Sequence, residues 1–258
     1  MQGTGAAANY DGGTYVAWCW KAGGAAVSNN DGSIPSQVSV NQDAGFSIVS
    51  YTANQTSGAT VGHGLGKTPK MIIVKERSPN NNNWPVYHAS TGNTKALYLD
   101  LVLDQGGTFT GAWNNTSPTS SVFSLGNSVE TNRNSSPYIA YCWAEIEGYS
   151  KFGSYVGNGD ADGPFVYCGH KPAWVLLKKI SASGTENWRL FDSSRCPTNQ
   201  NNKHLIPSSD ASEQIESGID LLSNGFKLRH ADGHQNQSGS TYIYASFAES
   251  PFQTANAK

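Results

Sequence analysis

Short apolar runs separated by polar turns dominate the chain, and their length and composition are typical of β-strands. Residues 71–74 (Met-Ile-Ile-Val) and 174–177 (Trp-Val-Leu-Leu) each follow shortly after a proline, which is tolerated at the start of a strand. Residues 188–193 alternate in side-chain type, and residues 97–103 are a further strand candidate. Runs this short also occur in buried helices, but the turn residues around them favour strands. Only residues 212–222 begin like a helix, and an internal glycine weakens that pattern. The pattern predicts an all-β chain.

One aromatic pattern occurs three times, at residues 15–20 (Tyr-Val-Ala-Trp-Cys-Trp), 138–145 and 242–249. Before the second and third occurrences, other landmarks recur in the same order at a spacing of about 103 to 106 residues, which indicates an internal repeat. The matched landmarks are Phe46 with Phe152, Tyr51 with Tyr155 or a neighbour, Pro69 with Pro172, Lys75 with Lys178, Trp84 with Trp188, Phe123 with Phe226, and Tyr138 with Tyr242. The spacing predicts two tandem β-sandwich repeats of the jelly-roll or lectin-like kind, with an extra N-terminal strand.

The repeat also predicts the domain boundaries. Residues 1–44 are an N-terminal strand and linker, 45–147 the first sandwich, 148–252 the second, and 253–258 a tail. Residues 22–44 are rich in Gly, Ser and Asn, which is typical of a linker. The extra strand at residues 15–20 either closes an open sheet edge within this chain or is donated to a neighbouring subunit. A fragment cut from a longer repeat array is the alternative origin of this strand.

Composition narrows the classes of function. Charged residues make up only 14% of the chain, the net charge is −2, and no run is rich in Lys or Arg. These values argue against binding to nucleic acid or to anionic membrane surfaces. No apolar run approaches the roughly 20 residues of a spanning helix, so membrane insertion is not expected. The N-terminus lacks the pattern of a signal peptide, so export by that route is not expected either.

The four cysteines form no CxxC pair, so the sequence gives no support to a zinc site. Cys19 and Cys142 occupy the same place in the recurring strand, where the third occurrence has Ser246. A position that alternates between Cys and Ser is typical of a small buried residue. We therefore expect free thiols rather than disulfides.

Several stretches resemble a repeat found in the virion proteins of tailed phages. In the second copy they are residues 171–178, 187–195, 223–228 and 242–252, and in the first copy residues 62–75 and 113–116, which resemble the marine, cyanophage-like version. The resemblance implies a structural protein of a tail fibre, a spike or the capsid surface, located in the virion and assembled in the host cytoplasm. It further implies other virion proteins as partners, a homo-oligomer, and host surface glycans as candidate ligands during attachment.

Candidate catalytic and metal-binding patterns are weak. Glu145 and Glu249 recur after an alanine, but a glycosidase needs two carboxylates facing one bond, so the role of a structural partner near a strand end is favoured. Residues 158–163 resemble a calcium loop but lack its distal glutamate, which favours a plain turn. His230 and His234 lack a third ligand at a recognisable spacing. We therefore predict no catalytic, cofactor or metal residues and a protein that is not an enzyme.

Most of the tryptophans lie at recurring strand positions, which favours packing in a core. Trp113, in a turn-rich stretch, and the outer side of Tyr98 are the candidate glycan contacts. The leading hypothesis is a non-enzymatic virion structural protein that contributes to host attachment. The alternatives are a glycan-binding, lectin-like module of a larger protein and, less favoured, a polysaccharide hydrolase.

Overall fold

The computed structural model describes residues 11–78, 82–102, 109–181 and 186–250, and the fold within them is all-β, as predicted. Their regular structure consists of 17 strands and one helix of four residues, α1 (Val129–Asn132). None of the helical structure in this part of the chain has the length and apolar character needed to cross a membrane. The predicted tail at residues 253–258 lies outside the described residues.

Strands between residues 27 and 143 build a seven-stranded antiparallel sheet and a separate pair of strands. In spatial order the sheet contains β1 (Val27–Asn29), β2 (Ser36–Asn41), β3 (Phe46–Thr52), β9 (Pro137–Trp143), β5 (Met71–Glu76), β6 (Pro85–His88) and β7 (Leu97–Tyr98). The pair consists of β4 (Ala59–Gly62) and β8 (Val122–Leu125). This part of the chain is called the first half below.

Strands between residues 150 and 248 build one eight-stranded antiparallel sheet that curls into a nearly closed barrel. In spatial order it contains β10 (Ser150–Val156), β17 (Thr241–Ala248), β12 (Pro172–Lys179), β13 (Arg189–Asp192), β14 (Asn201–Leu205), β15 (Gln214–Leu222), β16 (Gly225–Leu228) and β11 (Phe165–Tyr167). This part is the second half. Because β14 and β15 continue the sheet as far as β16, the strands of the second half belong to one sheet, whereas those of the first half are split into two.

The two halves contain the same tyrosine arrangement at the same place. Tyr51 stacks on Tyr138 with ring centroids 5.3 Å apart, and Tyr155 stacks on Tyr242 at 5.1 Å. Each pair sits at directly opposite positions of neighbouring strands, β3 with β9 and β10 with β17. This register places Tyr51 and Tyr155 at corresponding positions opposite Tyr138 and Tyr242. It also aligns Phe152 with Ile48, so the predicted match of Phe152 with Phe46 is wrong by two residues, one step on the same face of the strand.

A buried asparagine holds the equivalent loop in each half. The Asn132 side chain is fully buried, accepts hydrogen bonds from the backbone N–H groups of Asn54 and Gln55, and donates to two carbonyls. Asn236 is equally buried, accepts from the backbone N–H of Asn158 and donates to the carbonyls of Asp160 and His230. A side-chain amide that satisfies several backbone groups at once lets an irregular loop pass through the interior.

Two predictions about the N-terminal region are wrong. Residues 15–20 form no strand, and Tyr15 and Val16 are exposed by 53% and 37%. Residues 22–44, predicted as a linker, contain β1 and β2, which extend the first sheet beyond β3. β2 thus occupies the edge of β3 that would otherwise be open.

Two further elements differ from prediction. The candidate strand at 97–103 is reduced to β7 (Leu97–Tyr98), and its last residue lies outside the described part of the chain. The helix-like stretch at 212–222 is the strand β15. Its polar and glycine-containing sequence is stabilised by pairing with β14 and β16 on both sides, a tertiary effect that local patterning does not report.

The buried apolar residues form three clusters. One lies within the first half around Val49, Ile72 and Trp113, and one lies within the second half around Val175, Phe191 and Tyr242. The third lies between the seven-stranded and eight-stranded sheets and draws residues from both halves. This third cluster, the shared core, contains the candidate site.

Candidate ligand site between the two sheets

Strand alternation builds the shared core. On β5, Ile72 and Val74 face the core of the first half, so their neighbours Met71 and Ile73 face the second half. On β12, Val175 and Leu177 face the core of the second half, and Leu176 faces back toward the first. The apolar runs at 71–74 and 174–177 are continuous because both faces of these strands are buried.

Three hydrogen bonds cross between the halves and orient the sheets. The His88 ring nitrogen Nε2 donates to the Tyr244 carbonyl at 3.1 Å, and the Trp188 indole donates to the Tyr98 carbonyl at 2.7 Å. The fully buried Lys178 ammonium donates to the Val102 carbonyl at 3.2 Å. All three donors lie on buried side chains, so separating the sheets would leave polar groups without partners.

An apolar cavity of about 400 Å³ lies within the shared core. Its walls combine tryptophans with aliphatic side chains from both sheets, and its lining residues are Trp18, Trp20, Met71, Ile73, Leu99, Trp143, Trp174, Leu176, Leu190, Leu205, Ile206, Pro207, Ser209, Ala211 and Phe247. Trp18 and Trp20 come from the extended N-terminal segment, residues 15–24, called the strap. Leu205, at the end of β14, and residues 206–211 of the loop that follows form another part of the wall.

The strap crosses the shared core through its tryptophans. The Trp20 ring makes edge-on contacts with Trp143, Trp174 and Phe247 at centroid distances of 5.9, 5.4 and 5.2 Å. Edge-on aromatic pairs at such distances add stabilisation beyond their buried area. A second cavity, of about 310 Å³, shares Trp18, Trp20 and Trp143 with the first, so the strap tryptophans have space beside them on more than one side.

Two hydrogen-bond donors of the cavity wall are unused. The indole nitrogens of Trp143 and Trp174 are buried and have no hydrogen-bond partner. An unpaired buried N–H costs about 1–3 kcal/mol relative to a satisfied one, and such groups are uncommon in folded proteins. Both rings line the cavity, but their nitrogens have less than 1 Å² of accessible surface, so the donors are enclosed by protein and do not face the cavity space.

Charges near the cavity are balanced. The Arg195 guanidinium lies 5.9 Å from the centre of the Trp18 ring, in cation–π geometry. The same guanidinium is paired with Asp192 at 2.5 Å and with Glu213 at 2.7 Å. No ionisable side chain is among the residues that line the cavity within the described chain. The site is therefore suited to a neutral molecule.

The buried histidines serve as neutral hydrogen-bonding groups. Burial lowers the pKa of His88 to about 4, although its hydrogen bond to the Tyr244 carbonyl acts in the opposite direction. Burial likewise lowers the pKa values of His63, His170 and His204 to about 4. Each of these rings makes hydrogen bonds within the fold. At neutral pH these rings are uncharged. A charged ring would be poorly solvated in such buried surroundings.

The two predicted glycan contacts lie away from the cavity. The interpretation of Trp113 as the least core-like tryptophan is wrong, because its side chain is 1% exposed and packs 5.8 Å from Tyr87 in the core of the first half. Tyr98 is half-buried, and its hydroxyl donates to the Glu130 carboxylate at 2.7 Å. Burial first, and then this carboxylate, raise the pKa of the Tyr98 phenol.

The recurring carboxylates form ion pairs with lysines. Glu145 binds the Lys151 ammonium at 2.7 Å and also accepts from the Phe152 backbone N–H at 3.3 Å. Glu249 pairs with Lys171 at 2.7 Å. Both carboxylates lie next to a strand end, in the structural role that the sequence favoured.

The calcium-like loop is a turn held by its own side chains. Asn158 and Asp160 each accept a hydrogen bond from the backbone N–H two residues later. Asp162 pairs with Lys227 at 3.0 Å and Arg229 at 3.3 Å, and the hydrogen bond from Lys227 is the largest cause of its lowered pKa. His234 lies 3.0 Å from Glu186. Within residues 11–78, 82–102, 109–181 and 186–250, His, Cys, Asp and Glu form no group of three or more that could hold a metal ion.

All four cysteines are free thiols, with Cys19 exposed and the other three buried. The prediction of a small buried residue holds for Cys142 and Ser246, which are fully buried, but not for Cys19. Burial raises the pKa of the Cys142 thiol to about 12, so this thiol is protonated and unreactive at neutral pH.

Sequence reasoning assigned Trp143 and Trp174 to core packing and missed the cavity. One signal for the cavity was present in the sequence. Tryptophans recur near strand ends, on the same face of the strands as Met71 and Leu176. Alternation alone places these residues on one face, but it does not say that two such faces pack together around a space.

One family model matches the chain, over residues 2–251, and its description is "Domain of unknown function (DUF7483)". No curated protein and no solved structure matches the chain.

Proposed function

The chain belongs to the DUF7483 domain family, and we propose that it is a non-enzymatic structural module of a phage virion, located in a tail fibre, a spike or the capsid surface. Its role is to form contacts between subunits and to contribute to host attachment. The sequence resemblance described above is the basis of the virion assignment. The polar interior of the fold supports a structural role.

The observation that supports a structural role is that the recurring polar residues hydrogen-bond to loops of the fold. Asn132 and Asn236 hold equivalent loops, and the ammonium groups of Lys75 and Lys178 each donate to a carbonyl in equivalent loops. An enzyme site needs polar groups directed at a substrate. Here the polar groups that recur are directed at backbone groups of the fold, mostly in their own half and, for Lys178, also at the Val102 carbonyl of the first half.

We further propose that the two halves are tandem copies of one β-sandwich unit. Three features support this interpretation, because each occurs at corresponding positions in both halves. They are the stacked tyrosine pairs, the buried residues Asn132 and Asn236, and the lysines Lys75 and Lys178. The first half keeps its two sheets separate, and the second half joins the corresponding strands through β14 and β15.

Exposed aromatic side chains support subunit contacts with other virion proteins or with further copies of this chain. Phe165 and Tyr167 on β11, the last strand of the second sheet, are exposed by 45% and 63%, and Val156 on β10 is exposed by 58%. Apolar side chains on the outermost strands of a sheet favour association with another surface.

Labelling of intact particles tests the virion assignment. An antibody raised against the purified protein should decorate tail fibres, spikes or capsids of phage particles that encode the chain, as seen by electron microscopy. A Phe165→Ser/Tyr167→Ser variant should still fold and should be depleted from particles if β11 makes the subunit contact. Label found only in the soluble fraction of infected cells, with particles unlabelled, would exclude the proposal.

A further inference from the structure

We propose that the second half binds an extended segment of a partner protein as an added β-strand, antiparallel to β10, in the gap between β10 and β11. This gap, called the slot, separates the two outermost strands of the nearly closed eight-stranded sheet. The inference rests on the proposed equivalence of the two halves, and it specifies the form of the proposed subunit contact.

The corresponding gap of the first half is filled by the chain's own β2. β3 corresponds to β10, and the pair β4 and β8 corresponds to β11 and β16, because Val61 lies opposite Phe123 as Val166 lies opposite Phe226. β2 pairs antiparallel with β3 along its whole length. Just before β2, Ile34 forms a parallel bridge with Val61 of β4. One segment of the chain therefore joins the two strand edges in the first half.

This segment is fixed in place by hydrogen bonds and by burial. The Ile34 N–H donates to the Thr60 carbonyl at 2.9 Å, and the Ser36 hydroxyl donates to the Gly62 carbonyl at 2.9 Å. Ile34 and Val38 are buried in the core of the first half. Withdrawal of the segment would expose these residues, so a second copy of the chain is a poor donor, and a different protein is the partner that the structure favours.

The second half contains no equivalent of β2. The connection 144–149 leads directly from β9 into β10, and among the described residues no strand pairs with the second edge of β10 or of β11. Val156 on β10 and both Phe165 and Tyr167 on β11 have exposed side chains. Apolar side chains therefore border the slot on both of its strands.

Backbone groups of β10 are directed into the slot. The Gly157 N–H donates to the Ser240 carbonyl, which continues the register of β10 with β17. Because hydrogen-bonded pairs alternate along an antiparallel ladder, the odd-numbered residues of β10 bond to β17 and the even-numbered ones point away from it. Ser154 and Val156 are two of these, and both are exposed. An exposed edge of this kind is a template for an added strand.

Tyr244 replaces one contact that β2 makes in the first half. Its hydroxyl donates to the Tyr167 carbonyl at 3.3 Å. The register of the two strand pairs matches Tyr167 with Gly62, whose carbonyl accepts from Ser36. The incoming strand therefore needs no hydroxyl at the position of Ser36.

The same tyrosine determines the size of one residue in the incoming strand. A side-chain carbon added to Gly153 would lie 2.8 Å from the Tyr244 hydroxyl oxygen, so the ring covers this glycine. The corresponding position of β3 is Val49, which lies opposite Val38 of β2. Because the Tyr244 ring takes up space on the inner side of the slot, the strand residue opposite Gly153 must be smaller than valine. Apolar residues on the outer side of the strand would contact the exposed side chains that border the slot.

A synthetic peptide tests the proposal on the full chain. The probe has the sequence of residues 33–42 with the change Val38→Ala. On its addition, the amide signals of Ser154 and Val156 in ¹⁵N-labelled protein should shift and exchange more slowly with water, while the signal of Ser50 on β3 stays unchanged. A matched peptide with methylated amide nitrogens at positions 37 and 39 cannot donate to β10. It should bind about 10- to 30-fold more weakly, the loss expected from two hydrogen bonds.

Two substitutions at one position locate the binding edge. Ser154→Pro removes an N–H that points into the slot and leaves the ladder with β17 intact, so it should abolish binding of the probe. Ser154→Ala keeps this N–H and should bind the probe as the wild type does. The amide signals of the wild-type protein decide the question even if the proline variant fails to fold.

Several results would overturn the proposal. They are no binding of the probe at about 1 mM, equal binding of the methylated peptide, and shifted amide signals on strands other than β10 and β11. A dimer of the free protein with the β10 amides already protected would show that a second copy is the occupant, and would also overturn it. Labelling of particles tests the virion assignment separately, because the peptide titration uses the purified chain alone.

Discussion

At the scale of single residues, buried polar side chains determine which loops can form. Asn132 and Asn236 are fully buried, and each supplies hydrogen-bond partners for backbone groups of a loop that would otherwise have none in the interior. His88 does the same between the halves, where its Nε2 donates to the Tyr244 carbonyl while its Nδ1 accepts from the Ser90 backbone N–H at 3.2 Å. These side chains are satisfied in one protonation state and one orientation.

Asn132→Asp should strongly destabilise the protein. The aspartate has the same shape but loses the donors to the Gly126 and Thr56 carbonyls, and its charge is buried. We expect the free energy of unfolding in urea at pH 7 to fall by about 2–4 kcal/mol. Asn30→Asp makes the same change at an exposed position and should stay within about 0.5 kcal/mol of wild type. Equal effects of the two substitutions would contradict the role given to Asn132.

His88 should make stability fall in acid. Burial lowers its folded pKa to about 4, below the usual value, so the unfolded chain binds the proton more readily. Its contribution is therefore complete above about pH 6.5 and is lost as the pH falls toward 4, by up to about 1.4 kcal/mol per pH unit. Urea unfolding of His88→Gln between pH 7 and 4 should show a shallower loss than wild type, and a free energy at pH 7 lower by about 1–3 kcal/mol. His230→Gln, at a ring whose side chain is 55% exposed, is the control and should leave the free energy of unfolding at pH 7 within about 0.5 kcal/mol of wild type.

At the scale of elements, the strap shows how one sequence pattern can occur in different structures. Residues 15–20 match β9 and β17 in sequence, yet β9 is already paired on both sides with β3 and β5. The available edge of β3 is taken by β2. The strap therefore contributes aromatic side chains to the shared core instead of backbone hydrogen bonds to a sheet.

Trp20→Ala should destabilise the shared core. The ring packs edge-on against Trp143, Trp174 and Phe247, and its removal enlarges a cavity that already exists. We expect a loss of about 1–3 kcal/mol, less than for a fully buried tryptophan because the ring is half-exposed. Val16→Ala in the same segment should change stability by less than about 0.5 kcal/mol. Chemical unfolding followed by circular dichroism measures both, and a neutral Trp20→Ala would show that the strap does not pack as described.

The sequence predicted the strands that are buried on both faces and missed those that are polar. Met71–Val74 and Trp174–Leu177 are apolar throughout, so β5 and β12 were evident. β2 reads Ser-Gln-Val-Ser-Val-Asn, and its short alternation was hidden by surrounding Gly, Ser and Asn. The tryptophans of the candidate site were recognised as apolar, but the cavity results from the packing of two distant faces, which no local pattern contains.

Polar side chains at equivalent positions should be exchangeable between the halves if these are copies of one unit. Glu76, opposite Tyr138, pairs with Arg133 at 3.2 Å, whereas Lys179, opposite Tyr242, binds Gln237 at 2.6 Å and lies 3.7 Å from Glu186. Glu76→Lys alone places two cations together in a buried site and should cost about 3 kcal/mol or more.

The triple variant Glu76→Lys/Asn82→Glu/Arg133→Gln gives the first half the side chains of Lys179, Glu186 and Gln237 in the second half. It should recover most of the stability lost by the single change, because every charge regains a partner. Thermal and urea unfolding of the single and triple variants give the comparison. A triple variant as unstable as Glu76→Lys would contradict the equivalence of the two positions.

At the scale of the whole molecule, the two halves close against each other and form one body. The shared core contains residues from both sheets, and His88, Trp188 and Lys178 donate across it. Because these donors are buried, neither half can open this face without exposing apolar surface and leaving polar groups unpaired. The cavity is then a property of the pair of halves, since its walls come from both.

Native-state hydrogen exchange of the full chain, followed by mass spectrometry at increasing urea concentrations, tests this claim most directly. The most slowly exchanging amides of β9 in the first half and of β17 in the second should converge on one opening free energy and one urea dependence. Two distinct free energies, with the strands of one half opening while the other stays protected, would show that the halves are independent domains and would contradict the account.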